Sequence, residues 1–163
     1  MTAAPANTDE LRELYRELIL DHARSPRHFG KPPAVSHSAE GINPLCGDRL
    51  QLFLHVSDDG RIDEVGFEGS GCAISVASAS LMSEAVAGMT KDKALHYSHA
   101  LTSRLAGKGE DKHGSEAQAD IEFGKLRALE GVREFPSRVK CATLAWHALR
   151  AALTTNAQSI STE

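Results

Sequence analysis

No run of apolar residues in this chain approaches the length a bilayer span requires. The opening Met1-Thr2-Ala3-Ala4-Pro5 lacks the charged and apolar regions of a secretory leader. A cytoplasmic address with no membrane partner is the expectation. Positive charge is not in excess: 18 Lys and Arg against 22 Asp and Glu give a formal charge of −4, so nucleic acid is not expected as the main partner. Local basic patches could still dock a protein. A phosphate loop is also missing, because Gly107-Lys108-Gly109 has neither the preceding strand nor the following Ser or Thr. Cysteine is scarce. Cys46, Cys72 and Cys141 are an odd set that cannot close a disulfide framework, and none forms a C-x-x-C pair. In a reducing compartment they would serve as metal ligands or nucleophiles.

What is present suits one domain with its own core. The chain has 163 residues, 41% of them hydrophobic, and we read 1–163 as a single domain with flexible tails at about 1–8 and 154–163. Leu11, Leu14, Tyr15, Leu18, Ile19 and His22 recur at helical spacing before Ser25-Pro26. Leu50, Leu52, Leu54 and Val56 alternate as in a strand, Asp58-Asp59-Gly60 supplies a turn, and Ile62, Val65 and Phe67 return. Ile62 and Val65 fall on opposite faces of an ideal strand, which predicts a bulge. Val35 to Ile42 carries a weak third-strand pattern. Helical spacing resumes at Ile74, Ala77, Leu81 and Ala85, again after a cap at Thr90, and again from Pro136 through Cys141, Leu144, Ala148 and Leu149, with a shorter helix suggested by Leu126, Leu129 and Val132. The polar, glycine-rich stretch 107–114 reads as a mobile loop. The fold class is α+β: a small antiparallel sheet of about three strands packed against several helices.

The cysteines sit in informative settings. Cys46 lies in the turn-forming Asn43-Pro44-Leu45-Cys46-Gly47-Asp48. Cys72 lies where strand pattern gives way to helix, and a thiol in the first helical turn faces unpaired N–H groups and the positive dipole end, which lower its pKa. Cys141 sits on an apolar stripe, where a small buried hydrophobe is the commoner reading. Asp48 taken alone reads as a turn residue. Taken together, three thiolates and one carboxylate are enough donors for a tetrahedral zinc site. The carboxylate would be the least committed ligand among soft thiolates, which suits a site whose coordination changes. Such a site carries net negative charge, and Arg138, one helical turn before Cys141, is the candidate neighbouring cation; otherwise it is a surface charge. Of the eight histidines, His96, His99 and His113 read as solvated, and His22 as a hydrogen-bonded core residue.

Leu14-Tyr15-Arg16 with Asp21-His22, Asn43 to Asp48, Gly69 to Ser80, and Gly131 to Arg133 with Pro136 to Ala142 together resemble the iron–sulfur cluster assembly proteins of the IscU/SufU (NifU N-terminal-like) superfamily. Lys140 stands where scaffold members of the IscU type usually carry a histidine, and Glu134-Phe135-Pro136-Ser137-Arg138 replaces their Leu-Pro-Pro-Val-Lys motif, so the resemblance leans to the SufU type. It implies a zinc site of Cys46, Asp48, Cys72 and Cys141 and a SufS-type cysteine desulfurase as partner, a pyridoxal-phosphate enzyme, with downstream iron–sulfur assembly machinery beyond it. It also implies persulfide acceptance at Cys46, with Arg138 linked to that sulfurtransferase activity. The alternative it leaves is a scaffold that builds an iron–sulfur cluster on the same ligands.

Overall fold

The computed structural model describes residues 8–106, 124–154 and 159–161. Helix α1 (Thr8–Arg24) leads into strands β1 (His37–Asn43), β2 (Asp48–Val56) and β3 (Ile62–Ser70). Helices α2 (Ala73–Val86) and α3 (Lys91–Leu105), a 3₁₀-helix (Gly124–Glu134), α4 (Pro136–Thr154) and the short β4 (Ser159–Ser161) follow. β1, β2 and β3 form the expected antiparallel sheet, and β4 joins its edge parallel to β1, giving the order β3-β2-β1-β4. The loop expected at 107–114, residues 1–7, and most of the expected C-terminal tail lie outside the described residues. Within that tail, Ser159–Ser161 pairs with Glu40–Ile42 and is a strand rather than a frayed end. Three residues joined through backbone hydrogen bonds leave no alternation to read in a sequence.

The expected bulge is present. Val56 pairs with Ile62 while His55 pairs with Glu64, so Asp63 is the extra residue, and both Ile62 and Val65 turn into the core. Leu50, Leu52 and Leu54 are buried from the central strand, as their alternation required. α4 lies against β1 and β2, and α2 and α3 pack on α4. The contact with β1 is close: a Cβ at Gly41 would meet the Leu144 side chain at 3.1 Å. Trp146, fully buried, stacks on Tyr97 and donates its Nε1–H to Ser78 Oγ at 3.1 Å, while Ser78 donates to the Ala142 carbonyl. This chain of bonds joins α4 to α2 one residue beyond Cys141. Thr90 caps α3 as expected, accepting from the Lys93 N–H at 3.2 Å. Among the described residues no helix is long and apolar enough to cross a membrane.

His22 is the core histidine that its place on α1 suggested, 1% exposed. Its Nδ1 lies 2.7 Å from Ser80 Oγ, which already accepts the Arg27 N–H at 2.8 Å. The Ser80 proton can therefore point to Nδ1, leaving Nε2–H toward Glu84 at 3.6 Å. Burial is the main cause holding the His22 pKa below its ordinary 6.5, and burial also lowers His147 in α4. In the unfolded chain both imidazoles take protons more readily, so the folded state binds fewer protons as pH falls through about 6.5. Stability should be full above that value and decline as pH falls below it toward the lowered folded-state values. Urea unfolding across this range checks it: the midpoint is expected to fall with pH, and His22→Gln to flatten part of the slope.

Candidate metal centre

Antiparallel pairing sets Asn43 opposite Asp48, so the hairpin loop is only Pro44 to Gly47, closed by Gly47 at φ +69°. A cross-strand pair projects to one face of the sheet, and this pair turns inward: Asn43 is 0% and Asp48 1% exposed. Cys46, in contrast, is exposed on the loop beside Leu45. α4 brings Cys141 to the same point from the other side, with its sulfur 3.3 Å from that of Cys46. The donor atoms of Cys46, Asp48 and Cys141 all lie within 4.8 Å of one another.

Cys72 reaches the cluster differently. It is the N-cap residue of α2, one position before the first turn in which sequence reading put it, and it is half-buried. Its N–H, one of the unpaired donors at a helix start, meets Asp48 Oδ1 at 2.8 Å. Its sulfur is outside the tight three-atom group, yet close enough that Cys72 contributes to the shift at Cys141. Burial first, then contacts with Cys46, Asp48 and Cys72, push the Cys141 thiol far above its usual range. A sulfur held so tightly to its proton yields a thiolate only when a cation offsets the charge. The donor set fits one: two thiols and a carboxylate are gathered in a partly desolvated corner with a third thiol alongside, and mixed S and O donors suit zinc.

Two further residues shape this corner, and sequence reading assigned neither a role. The Asn43 side-chain N–H groups point to Asp48 Oδ2 at 3.2 Å and Cys141 Sγ at 3.4 Å. Its Oδ1 is the one buried side-chain polar atom without a hydrogen-bond partner among the described residues, at a cost of about 1–3 kcal/mol. At Gly71 there is no room for a side chain, because a Cβ would collide with Asp48 Oδ1 and Ser75 Oγ. Both residues belong to the motifs that stand out in the sequence, and only the packing reveals what they do.

Arg138 is exposed in the first turn of α4. With Arg12 and Arg16 of α1 it borders a groove of about 800 Å³ whose apolar wall includes Ile19, Ile74, Val132 and Phe135. Among the described residues lining the groove, none is acidic. Ala73, next to Cys72, also lines it, so the groove begins beside the cysteine cluster.

The NifU-like N-terminal domain family matches residues 14–142, which includes every candidate ligand and Arg138. The chain belongs to this family. It is 40% identical over 141 residues to the zinc-dependent sulfurtransferase SufU of Bacillus subtilis strain 168, covering 85% of this chain and 88% of that one. It is 36% identical over 154 residues to the iron–sulfur cluster assembly scaffold protein IscU of Streptococcus pyogenes serotype M1, covering 93% and 91%. A crystal structure from Fervidobacterium islandicum AW-1, named for a scaffold role in the SUF system, superposes with a TM-score of 0.74 at 34% identity over 88% of this chain and 98% of that one. The Streptococcus and Fervidobacterium relatives are named for iron–sulfur cluster assembly as scaffolds, and the Bacillus relative for sulfur transfer.

The space at Gly71 yields a direct prediction. Gly71→Ala should displace the Asp48 carboxylate from the Cys72 N–H and lose a charge-assisted hydrogen bond of about 1.5–3 kcal/mol. For a chain of this size that corresponds to a fall of roughly 3–12 °C in Tm, to be read by calorimetry.

Proposed function

We propose that the protein is a zinc-dependent sulfurtransferase of cytoplasmic iron–sulfur cluster assembly, a single domain that takes persulfide sulfur on Cys46 from a SufS-type cysteine desulfurase. Cys46, Asp48, Cys72 and Cys141 would hold the metal. The observation that carries this reading is the unequal mounting of the donors: Cys46 is exposed on a four-residue loop, whereas Asp48 and Cys141 are buried in the core. A sulfur acceptor must reach a partner, and its anchors must not. Bound zinc supplies a redox-inert positive charge that keeps thiolates deprotonated near neutral pH.

The transfer needs no outside electrons. The Cys46 thiolate attacks the terminal sulfur of the donor persulfide and forms a new S–S bond. The donor S–S bond breaks, and the donor cysteine leaves as a thiolate. Arg138, with Arg12 and Arg16, gives the adjoining groove a positive rim suited to an acidic face on the desulfurase. The sulfur on Cys46 then passes to the downstream assembly machinery.

A second reading, a scaffold that builds an iron–sulfur cluster on the same ligands, draws on the similarity to the Streptococcus pyogenes protein. Lys140, in place of histidine before Cys141, favours transfer. Purified protein should be colourless with about one zinc per chain; brown protein containing iron and sulfide would favour the scaffold. After incubation with desulfurase and cysteine, persulfide labelling should be strong on the unaltered protein and lost in Cys46→Ala, which should keep part of its zinc. Cys72→Ala and Cys141→Ala should lose both label and zinc. Arg138→Ala should keep zinc and lose the label. Robust labelling of Cys46→Ala at another cysteine would overturn the choice of acceptor.

A further inference from the structure

Each donor near the proposed metal is held to a different degree, and one neutral side chain accounts for much of the difference. Asp48 is tied at both oxygens, Oδ1 to the Cys72 N–H at 2.8 Å and Oδ2 to Asn43 Nδ2 at 3.2 Å. Cys141 Sγ accepts from the same Asn43 nitrogen at 3.4 Å. Among the described residues Cys46 receives nothing from Asn43, and its sulfur lies 3.3 Å from that of Cys141. The sense of the amide follows from Asp48: reversed, its carbonyl oxygen would face a carboxylate oxygen with no donor between them. In the observed sense Oδ1 is left buried and unpaired. Inward neighbours on the same strand, Ala39 and Gly41, are small and apolar, so the strand has no packing need for an amide here.

We propose that Asn43 is a positioning residue that clamps Asp48 and Cys141 with the two N–H groups of one amide, leaving Cys46 as the donor free to depart. This rests on the metal-binding reading above. Its action passes through the ligands, and it touches neither the metal nor the incoming sulfur. Groups that orient metal ligands from behind typically change affinity by roughly 10–100-fold when lost.

The test uses the full chain with Asn43→Leu, which removes both N–H groups, and Asn43→Thr, which keeps one donor. Cobalt(II) serves as the probe, with affinity measured by chelator competition and ligand arrangement by the visible absorption bands. In the metal-free unaltered protein, 15N NMR follows exchange of the Asn43 side-chain amide protons. The expected results are slow amide exchange, a loss of cobalt affinity of roughly 10–100-fold with shifted bands for Asn43→Leu, and intermediate values for Asn43→Thr. A merely structural asparagine would alter Tm and leave the cobalt bands unchanged. A folded Asn43→Leu with unaltered affinity and spectrum overturns the proposal, as does an Asn43 amide exchanging as fast as an exposed one. Should Asn43→Leu fail to fold, the same readings on Asn43→Thr decide. If the unaltered protein binds no cobalt yet its Asn43 amide is protected, the metal reading falls while the clamp on Asp48 and Cys141 stands.

Discussion

A carboxylate that is 1% exposed has to be hydrogen-bonded, and the way Asp48 is satisfied organises the end of the sheet. Its two oxygens reach two elements, the backbone at the start of α2 and the side chain at the end of β1. For the first bond to form, the chain leaving β3 must pass directly against β2, and there Gly69 adopts φ +146° with its α-carbon facing the Arg49 carbonyl too closely for any Cβ. Gly71 then leaves the space that the carboxylate fills. The two glycines flanking Ser70 are therefore consequences of one buried charge. That charge also fixes where α2 begins, and with it the position of Cys72.

The remaining cysteine of the buried side is fixed by packing. Trp146, Ser78 and the Ala142 carbonyl form one hydrogen-bonded chain between α4 and α2, and Ser98 donates to the Trp146 carbonyl from α3 at 3.1 Å. Full burial of a large aromatic contributes several kcal/mol, on the order of the 3–5 lost when one is truncated to alanine. Any displacement of Cys141 would disturb this contact one helical turn away. Cys46 sits on a loop anchored at its two ends by the Asn43 and Asp48 pairing, and its side chain contacts Cys141 at 3.3 Å. Burial of the three donors thus falls from Cys141 in α4 and Asp48 in β2 to Cys46 at the hairpin tip.

Much of this was legible in the sequence, because periodicity and capping are local signals. The alternation of β2, the phase conflict between Ile62 and Val65, the Thr90 cap and Pro136 at the start of α4 all correspond to elements in the structure. β1 was weaker because Gly41 interrupts its pattern for a reason that only the Leu144 contact reveals. Leu14, one of the residues at helical spacing in α1, is 58% exposed, since spacing cannot tell which part of a helix the rest of the chain covers. At the site, Cys46 and Asp48 drew notice through residue type, and Cys141 through the motif around it. Asn43 did not, because an amide neither titrates nor attacks. Its significance depends on the register that sets it opposite Asp48, and register is a property of two strands together.

The open groove beside the cluster bears on why the exposed thiol is Cys46 and not Cys72. Cys72 borders the groove through Ala73 and sits at a helix start, so its position alone does not disqualify it as an acceptor. Yet its own N–H is committed to Asp48, and withdrawing Cys72 from its cap would break that bond and bare a buried carboxylate. Among the described residues, moving Cys46 breaks a thiol-to-thiol contact with Cys141 and bares no buried charge; with metal bound, its own bond to the ion would be broken as well. On the proposed reading, the cost of motion favours the residue at the hairpin tip as the acceptor, and the arginine-rimmed groove that begins beside the cluster is where a partner would sit.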